Sequence, residues 1–221
     1  MDTQILRNYI EVKKKIDAWN AIYKNNTKLL VASKYLSIKQ IEDIISNGNQ
    51  KIFGENKLQE AQKKWTYVKN RHPDTKLHFI GKLQSNKIRK AVRMFDVIET
   101  VDCFDLAVAI KNISLEINKK IEIFIQIKID KEDNRNGVHL DHFNSLLEKI
   151  NHKVIKVSGL MYLGSHDSHI NNDFKLIKKI KDQYNLKELS MGMSGNFKEA
   201  IQAGATQVRI GSLICHQNIL N

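Results

Sequence analysis

The chain has 221 residues, of which 42% are hydrophobic and 27% charged, a balance typical of one soluble globular domain with a substantial core. No apolar run approaches the about 20 residues of a membrane span, and the charged, amphipathic start MDTQILRNYIEVKKKI is unlike a secretory signal. The formal net charge of +12 leaves a nucleic-acid partner open, but the lysines are spread along the whole chain, which favours general composition as the source of the charge.

Short apolar runs alternate with longer amphipathic segments from one end of the chain to the other. An amphipathic helix over about 4–25 precedes the first strand, and isoleucines at helical spacing after Ser37 predict a second helix that this serine caps. The predicted strands are 29–33, 51–55, 76–80, 96–100, 121–129, 156–162, 187–191 and 206–210. The other predicted helices are 57–69, 84–93, 104–118, 140–150 (with Asp141 as a cap), 173–184 and 196–203.

Strict alternation of strand and helix predicts parallel strands joined by right-handed crossovers. Eight strands close a (β/α)8 TIM barrel, so we expect an α/β fold in which residues 1–221 form a single domain. The alternative is a doubly wound open sheet, which usually has an early glycine-rich turn. The first predicted strand ends in ASKYLS, without such a turn.

Chemistry in a barrel gathers where the strands end, and Lys34 stands at the end of the first strand. A lysine amine is nucleophilic when partial burial favours its neutral form, and it can then form a Schiff base with a carbonyl compound. The alternative, which the residue alone favours, is a lysine whose stem packs against the rim while its head stays in water.

Two later segments carry groups suited to an anion. In MGMSGNFKEAI, Gly192 follows a strand and Ser194 precedes a helix, where free N–H groups favour phosphate; the alternative is a serine that only caps the helix. In QVRIGS, the backbone at Gly211 and Ser212 can hold phosphate oxygens. Alternation places Arg209 on the inner face, where a salt bridge to a distant glutamate is the alternative to a ligand.

Taken together, the motifs resemble the pyridoxal phosphate homeostasis protein family, whose fold is similar to the N-terminal barrel of alanine racemase (pyridoxal phosphate fold type III). The resemblance rests on the segments VASK, FGENKLQEAQKK, LHFIGKLQSNK, SGLM, LSMGMS and AIQAGATQVRIGS, which follow one another across nearly the whole chain.

The resemblance implies that pyridoxal 5′-phosphate is the cofactor and that Lys34 is its Schiff-base lysine. It further implies that Ser194, Gly211 and Ser212 hold the phosphate, that Asn56 lies near the cofactor, and that Arg209 faces the pyridine nitrogen. A charged guanidinium beside that nitrogen keeps it unprotonated and weakens the ring as an electron sink. We therefore expect binding and delivery of the cofactor rather than turnover; the alternative is a small amino-acid racemase or lyase.

The chain departs from the family pattern in four places. Tyr35–Ser37 follow the lysine where a proline is usual, Arg135 stands in place of a lysine, Asn196 in place of an aspartate, and Cys215-His216 in place of Phe-Gly.

Cellular location, assembly and partners are the remaining expectations. Cys103 and Cys215 lie far apart without metal-type spacing, which suits a reducing cytoplasm. We expect a cytoplasmic monomer, with pyridoxal phosphate and its dependent apoenzymes as partners, and without a membrane or nucleic-acid partner.

Two histidine-containing segments are further candidate sites. The segment GSHDSHINND, with His166, Asp167, His169 and Asp173, is interpreted as a solvated loop rather than a metal site. His78 is interpreted as a hydrogen-bonded strand residue.

Overall fold

The computed structural model describes residues 3–129, 136–150, 155–164 and 170–215. The strands are β1 (Lys28–Ala32), β2 (Ile52–Glu55), β3 (Lys76–Phe79), β4 (Val97–Val101), β5 (Ile121–Lys128), β6 (Val138–His139), β7 (Ile155–Tyr162), β8 (Glu188–Ser190) and β9 (Gln207–Ile210). The helices are α1 (Gln4–Tyr23), α2 (Ile38–Gly48), α3 (Leu58–Arg71), α4 (Ile88–Met94, after a 3-10 turn at Ser85–Lys87), α5 (Phe104–Glu116), α6 (Leu140–Ile150), α7 (Ile170–Gln183), α8 (Phe197–Gln202) and α9 (Ser212–Cys215).

The strands close into a parallel barrel, as the alternation predicted. Neighbours in the ring run β4-β3-β2-β1-β9-β8-β7-β5, and pairing of β4 with β5 completes the circle of eight. The first and last strands meet along a seam in which Leu30 lies opposite Arg209 and Val31 opposite Ile210. The predicted (β/α)8 barrel is confirmed.

Most of the apolar core lies between the barrel and the surrounding helices. Alternation along β1 directs Leu29 and Val31 toward this layer, where both are buried. Trp65 of α3 packs on Phe53 of β2 with a ring-centroid distance of 5.1 Å. This packing holds the strands in place, and with them the residues that follow each strand at the rim of the barrel.

Helix α2 begins as predicted. The Ser37 side chain accepts a hydrogen bond from the Gln40 backbone N–H, and the Gln40 side chain accepts one from the backbone of Ser37, which completes a capping box. The helix buries Ile41, Ile44 and Ile45. Since α2 starts only a few residues after Lys34, the cap limits the length of the loop that carries this lysine.

Three details differ from the sequence predictions. Strand β6 was not predicted, because two residues paired only to Ile127 and Lys128 are too short to show an alternating pattern. The short helix α9 was missed for the same reason. Asp141 lies in the first turn of α6 instead of capping it, because the helix already begins at Leu140. Among the described helices, none combines the length and the apolar character needed to cross a membrane.

Candidate functional site

Four neighbouring strands bring the candidate residues to one arc of the rim. In the ring, β2, β1, β9 and β8 are consecutive. Lys34 follows β1, Asn56 follows β2, Gly211 and Ser212 follow β9, and Ser194 lies in the loop after β8. The structure therefore places these five residues beside one another, although they come from opposite ends of the chain; their roles toward a ligand remain predictions.

Lys34 is exposed, not partly buried as expected. Its ammonium nitrogen lies 4.5 Å from the centre of the Tyr35 ring, a cation–π contact made by the residue that departs from the family pattern. Such an exposed contact is worth only about 0.5–1 kcal/mol, so the amine can leave it when a ligand arrives. The side chain is thus available at the rim.

The backbone beneath Lys34 is held by a buried group that we call the rim anchor, formed by Ser33, Glu55, Lys64 and Trp65. Oε1 of Glu55 accepts hydrogen bonds from the Ser33 hydroxyl at 2.7 Å and the Trp65 indole N–H at 3.1 Å, and Lys64 Nζ lies 2.7 Å from it. Lys64 Nζ also donates to the Ser33 carbonyl at 2.7 Å. The residue before Lys34 is therefore fixed at both its hydroxyl and its carbonyl.

Asn56 packs against Gly81, which lines a cavity at the mouth of the barrel. The cavity has a volume of about 200 Å³, and its lining includes Gly81, Thr100 and Met161. Gly81 packs so closely on Asn56 that a Cβ at position 81 would lie 2.0 Å from the Asn56 carbonyl oxygen. Any side chain at position 81 would therefore displace the backbone of Asn56.

The loop after β8 leaves the Ser194 hydroxyl uncommitted. Gly192 has a φ of +88°, and a Cβ there would lie 2.4 Å from that of Ala200, so only glycine fits. The residue at the cap of α8 is Asn196, whose side-chain oxygen accepts from the Met193 N–H at 2.8 Å. The alternative that Ser194 only caps the helix is wrong: within the described residues its hydroxyl has no hydrogen-bond partner.

Gly211 brings the chain close to the neighbouring strand β1. A Cβ at Gly211 would lie 3.1 Å from both the Cβ and the carbonyl oxygen of Ala32, which is tighter than ordinary contact. Ser212 follows at once and begins α9, with its side chain half-buried. The close approach of Gly211 to β1 therefore leaves little room for a side chain at this position.

Arg209 is buried in the barrel interior, with 5% of its surface exposed. Its Nη1 donates to the Ser190 hydroxyl oxygen and its Nη2 to the Tyr162 carbonyl oxygen, both at 2.8 Å. Burial lowers the pKa of the Arg209 guanidinium from its usual value, and the charge of Glu99 opposes that shift. Arg209 makes no direct salt bridge to a glutamate among the described residues. Ser190 lies between Arg209 and Glu99 and is hydrogen-bonded to both.

Glu99 lies at the centre of what we call the interior polar cluster, formed by His78, Glu99, Ser190, Gln207 and Arg209. The fully buried Glu99 carboxylate accepts from the Ser190 hydroxyl at 2.6 Å and the Gln207 side-chain N–H at 2.7 Å, and its Oε1 lies 2.6 Å from His78 Nδ1. Burial acts to raise the pKa of Glu99, but His78, Arg209 and Ser190 outweigh it and lower that pKa overall. The interpretation of His78 as a hydrogen-bonded strand residue is confirmed.

Sequence reasoning missed Glu99, although a signal was present. Val97 and Glu99 stand two residues apart on a strand and so share a face. Val97 packs with Phe124 and Met161 in an apolar cluster separate from the main core. An ionisable residue on such a face requires buried partners, and that requirement could have directed attention to it.

The remaining sequence candidates form no further site in the described residues. Cys103 and Cys215 are both free thiols. Burial raises the pKa of the half-buried Cys215 thiol, while the charges of Lys34 and Lys64 oppose the shift. Asp173 accepts a hydrogen bond from the Tyr162 hydroxyl at 2.7 Å. The interpretations of five residues concern positions outside the described residues: Arg135, His166, Asp167, His169 and His216.

Comparison with known proteins places the chain in a family. Residues 8–218 match the family model described as alanine racemase, N-terminal domain. A pyridoxal phosphate homeostasis protein of Synechocystis is 35% identical over 199 residues, covering 86% of this chain and 90% of that protein. One of Aquifex aeolicus is 34% identical over 201 residues, covering 86% of each chain.

A solved structure extends the likeness to three dimensions. PipY of Synechococcus elongatus, solved with pyridoxal phosphate bound, is 27% identical and superposes with a TM-score of 0.83, covering 96% of this chain and 100% of that one. The chain therefore belongs to the alanine racemase N-terminal-domain family, within the group of the pyridoxal phosphate homeostasis proteins.

Proposed function

We propose that this protein binds pyridoxal 5′-phosphate through Lys34 and takes part in intracellular homeostasis of that cofactor, holding it without turnover. The observation that carries the proposal is the arrangement, on one arc of the rim, of three features: the exposed amine of Lys34, the hydroxyls of Ser194 and Ser212, which have no hydrogen-bond partner among the described residues, and the glycine backbone at Gly211. The names of its relatives and the cofactor bound to PipY support the same conclusion.

The residues of the arc suit the chemical groups of this cofactor. When bound, pyridoxal phosphate supplies an aldehyde that condenses with a lysine amine to form a Schiff base. Lys34 offers that amine on a backbone fixed by the rim anchor. Ser194 and Ser212 offer hydroxyl groups, and Gly211 offers a backbone that phosphate oxygens can approach. Asn56 lies on the other side of Lys34, where it contributes to the wall of the site.

Arg209 favours storage of the cofactor over catalysis. Its guanidinium is buried and is held by two neutral acceptors rather than by a carboxylate. Facing the ring nitrogen, such a group keeps that nitrogen unprotonated, which makes the ring a weak acceptor of electrons from a bound amino acid. The chain thus retains the aldehyde without promoting the reactions that need a stronger electron sink.

The setting that we propose is the cytoplasm, with the protein acting as a monomer that passes the cofactor to dependent apoenzymes. Two free cysteines suit a reducing compartment. An exposed Schiff-base lysine suits transfer, because an attacking amine from another protein can reach it.

The direct test is the absorbance of the purified protein with added pyridoxal phosphate. We expect a yellow protein. Borohydride should reduce the imine to a secondary amine, which removes the yellow band and fixes the cofactor irreversibly to a peptide that contains Lys34. Lys34→Ala should abolish the band, whereas Lys39→Ala, an exposed lysine on α2, should keep it. Retention of the reduced adduct in Lys34→Ala would contradict the assignment.

A second measurement separates storage from catalysis. The loaded protein is incubated with a panel of amino acids in deuterated water, and exchange at the α-carbon is followed by proton NMR. We expect no exchange above that produced by free pyridoxal phosphate. Exchange that depends on the protein would instead show a racemase or lyase activity.

A further inference from the structure

The interior polar cluster occupies space that a TIM barrel usually fills with layers of branched apolar side chains. Its members come from four strands: His78 from β3, Glu99 from β4, Ser190 from β8, and Gln207 and Arg209 from β9. All five are at most 5% exposed. Burying ionised groups is unfavourable unless they are paired and hydrogen-bonded, so a cluster of this kind calls for a role beyond packing.

We infer that Glu99, acting through Ser190, is a positioning residue that fixes the Arg209 guanidinium in the orientation in which it meets the cofactor ring. This inference rests on the proposed function, since it concerns how the same site recognises pyridoxal phosphate. The proposed action of Glu99 on the ring passes through Ser190 and Arg209.

The direction of each hydrogen bond at Ser190 follows from donor and acceptor chemistry. An ionised carboxylate only accepts, so the single Ser190 proton points to Oε2 of Glu99, 2.6 Å away. The lone pairs of the same oxygen are then left for Arg209 Nη1 at 2.8 Å and Gln207 Nε2 at 3.1 Å. The carboxylate thus dictates that Ser190 presents an acceptor to the arginine.

A second contact completes the orientation of the arginine. Nη2 of Arg209 donates to the Tyr162 carbonyl on β7, while Nη1 donates to Ser190 on β8. Because the guanidinium is planar and rigid, two bonds from its two terminal nitrogens define the plane of the whole group. The guanidinium is thus already held by residues of β7 and β8 before a ligand binds.

Because the Ser190 hydroxyl lies between them, Glu99 can balance the charge of Arg209 without itself occupying N–H groups of the guanidinium. Glu99 lies close enough for its charge to support the protonated form of Arg209 against burial. A direct bidentate salt bridge would give the same support but would occupy two N–H groups on one edge of the guanidinium. With Ser190 in between, the carboxylate stabilises the charge while only one N–H group is committed to its side of the cluster.

The test uses the full-length protein loaded with pyridoxal phosphate labelled with ¹⁵N at the ring nitrogen. Its chemical shift reports the hydrogen bonding and protonation of that nitrogen, and absorbance titration gives the dissociation constant. The variants are Ser190→Ala, Glu99→Gln and the double variant. The controls are Ser158→Ala and Glu122→Gln, because Ser158 donates to Glu122 at 2.7 Å in a part-buried serine–glutamate pair that also joins two barrel strands but has no hydrogen bond to Arg209 within the described residues.

We expect Ser190→Ala to move the ring-nitrogen resonance and to weaken binding by roughly 2- to 12-fold, the range that corresponds to ordering one long side chain on binding. Glu99→Gln should move the resonance as well. The double variant should resemble Ser190→Ala, because both substitutions interrupt the same chain of hydrogen bonds from Glu99 through Ser190 to Arg209. The two control variants should leave the resonance in place.

Each outcome has a distinct meaning. If the unmodified protein fails to take up the labelled cofactor, the proposed function is wrong. If it binds but the resonance stays unchanged in Ser190→Ala, or the effects of the two substitutions simply add, the positioning role is refuted while the proposed function stands. Ser190→Ala is the milder change and keeps the test decisive should Glu99→Gln fail to fold.

Discussion

Replacing Lys64 by methionine should destabilise the protein far more than the loss of a surface lysine. The rim anchor contains a Glu55 side chain with 0% exposure, and Lys64, at 12% exposure, is the cation that pairs with it at 2.7 Å. Methionine has a similar length but carries no charge, so Lys64→Met leaves the Glu55 carboxylate buried without a counter-charge.

The size of the effect follows from what remains around Glu55. Its Oε1 keeps the Ser33 and Trp65 donors, while its Oε2 already has no hydrogen-bond partner among the described residues. Removing one partner of a buried ion pair costs about 3–5 kcal/mol. Because the partial exposure of Lys64 admits some water, we expect a loss of about 3 kcal/mol.

Urea unfolding followed by tryptophan fluorescence measures this loss. With a slope of about 2–3 kcal/mol per molar urea, the midpoint should fall by roughly 1–1.5 M. The neighbouring Lys63, 70% exposed and paired with Glu60 at the surface, provides the control. Lys63→Met should leave the midpoint unchanged, because exposed ion pairs contribute little to stability.

The double variant Glu55→Gln with Lys64→Met distinguishes an uncompensated charge from simple loss of packing. Removing the carboxylate charge should restore part of the stability lost in Lys64→Met alone. A loss below about 1 kcal/mol in Lys64→Met, or a double variant less stable than Lys64→Met, would refute the view that this pair behaves as a buried one.

Three further outcomes are expected. Gly81→Ala should lower the melting temperature and weaken pyridoxal phosphate binding, because its Cβ would lie 2.0 Å from the Asn56 carbonyl oxygen; Gly195→Ala, whose Cβ would meet nothing within 4 Å, should do neither. Burial, together with the charge of Asp17, raises the pKa of Tyr9 to about 12. Since its unfolded value is about 10, stability from this group should be complete below pH 10 and fall as the pH rises toward 12, a decline that Tyr9→Phe should lack in unfolding experiments across that range. Ser37→Ala should cost about 1 kcal/mol in urea unfolding by removing the α2 cap, whereas Lys39→Ala in the same helix should have little effect.

The fold could be predicted from the sequence because its signals are local. Each barrel strand is an apolar run of a few residues, and each helix repeats its apolar residues every three or four positions. The capping box of Ser37 involves Gln40, which is only three residues further along the chain. Elements too short to show a period, such as β6 and α9, gave no such signal. Parallel order then followed from the alternation of the two types.

The interior of the site could be predicted only in part, because its contacts are made across the barrel. Glu99 is 91 residues from Ser190 and 108 from Gln207 along the chain, so no local pattern connects them. The exposure of Lys34 was also beyond sequence reasoning, because a position at a strand end does not determine how deeply a side chain is buried. What the sequence did reveal was position at a strand end, and that was enough to group the rim residues.

The seam between β1 and β9 has a consequence for biosynthesis. Leu30 and Arg209 become neighbours only when β9 docks onto β1, so the chain through β9 must leave the ribosome before the barrel can close. A nascent chain contains Lys34 early, whereas Gly211 and Ser212, which we propose to hold the phosphate, are synthesised only after β9. Binding of the cofactor as proposed above therefore requires β9 to be in place beside β1, and a ligand that bridges the two strands would oppose their separation.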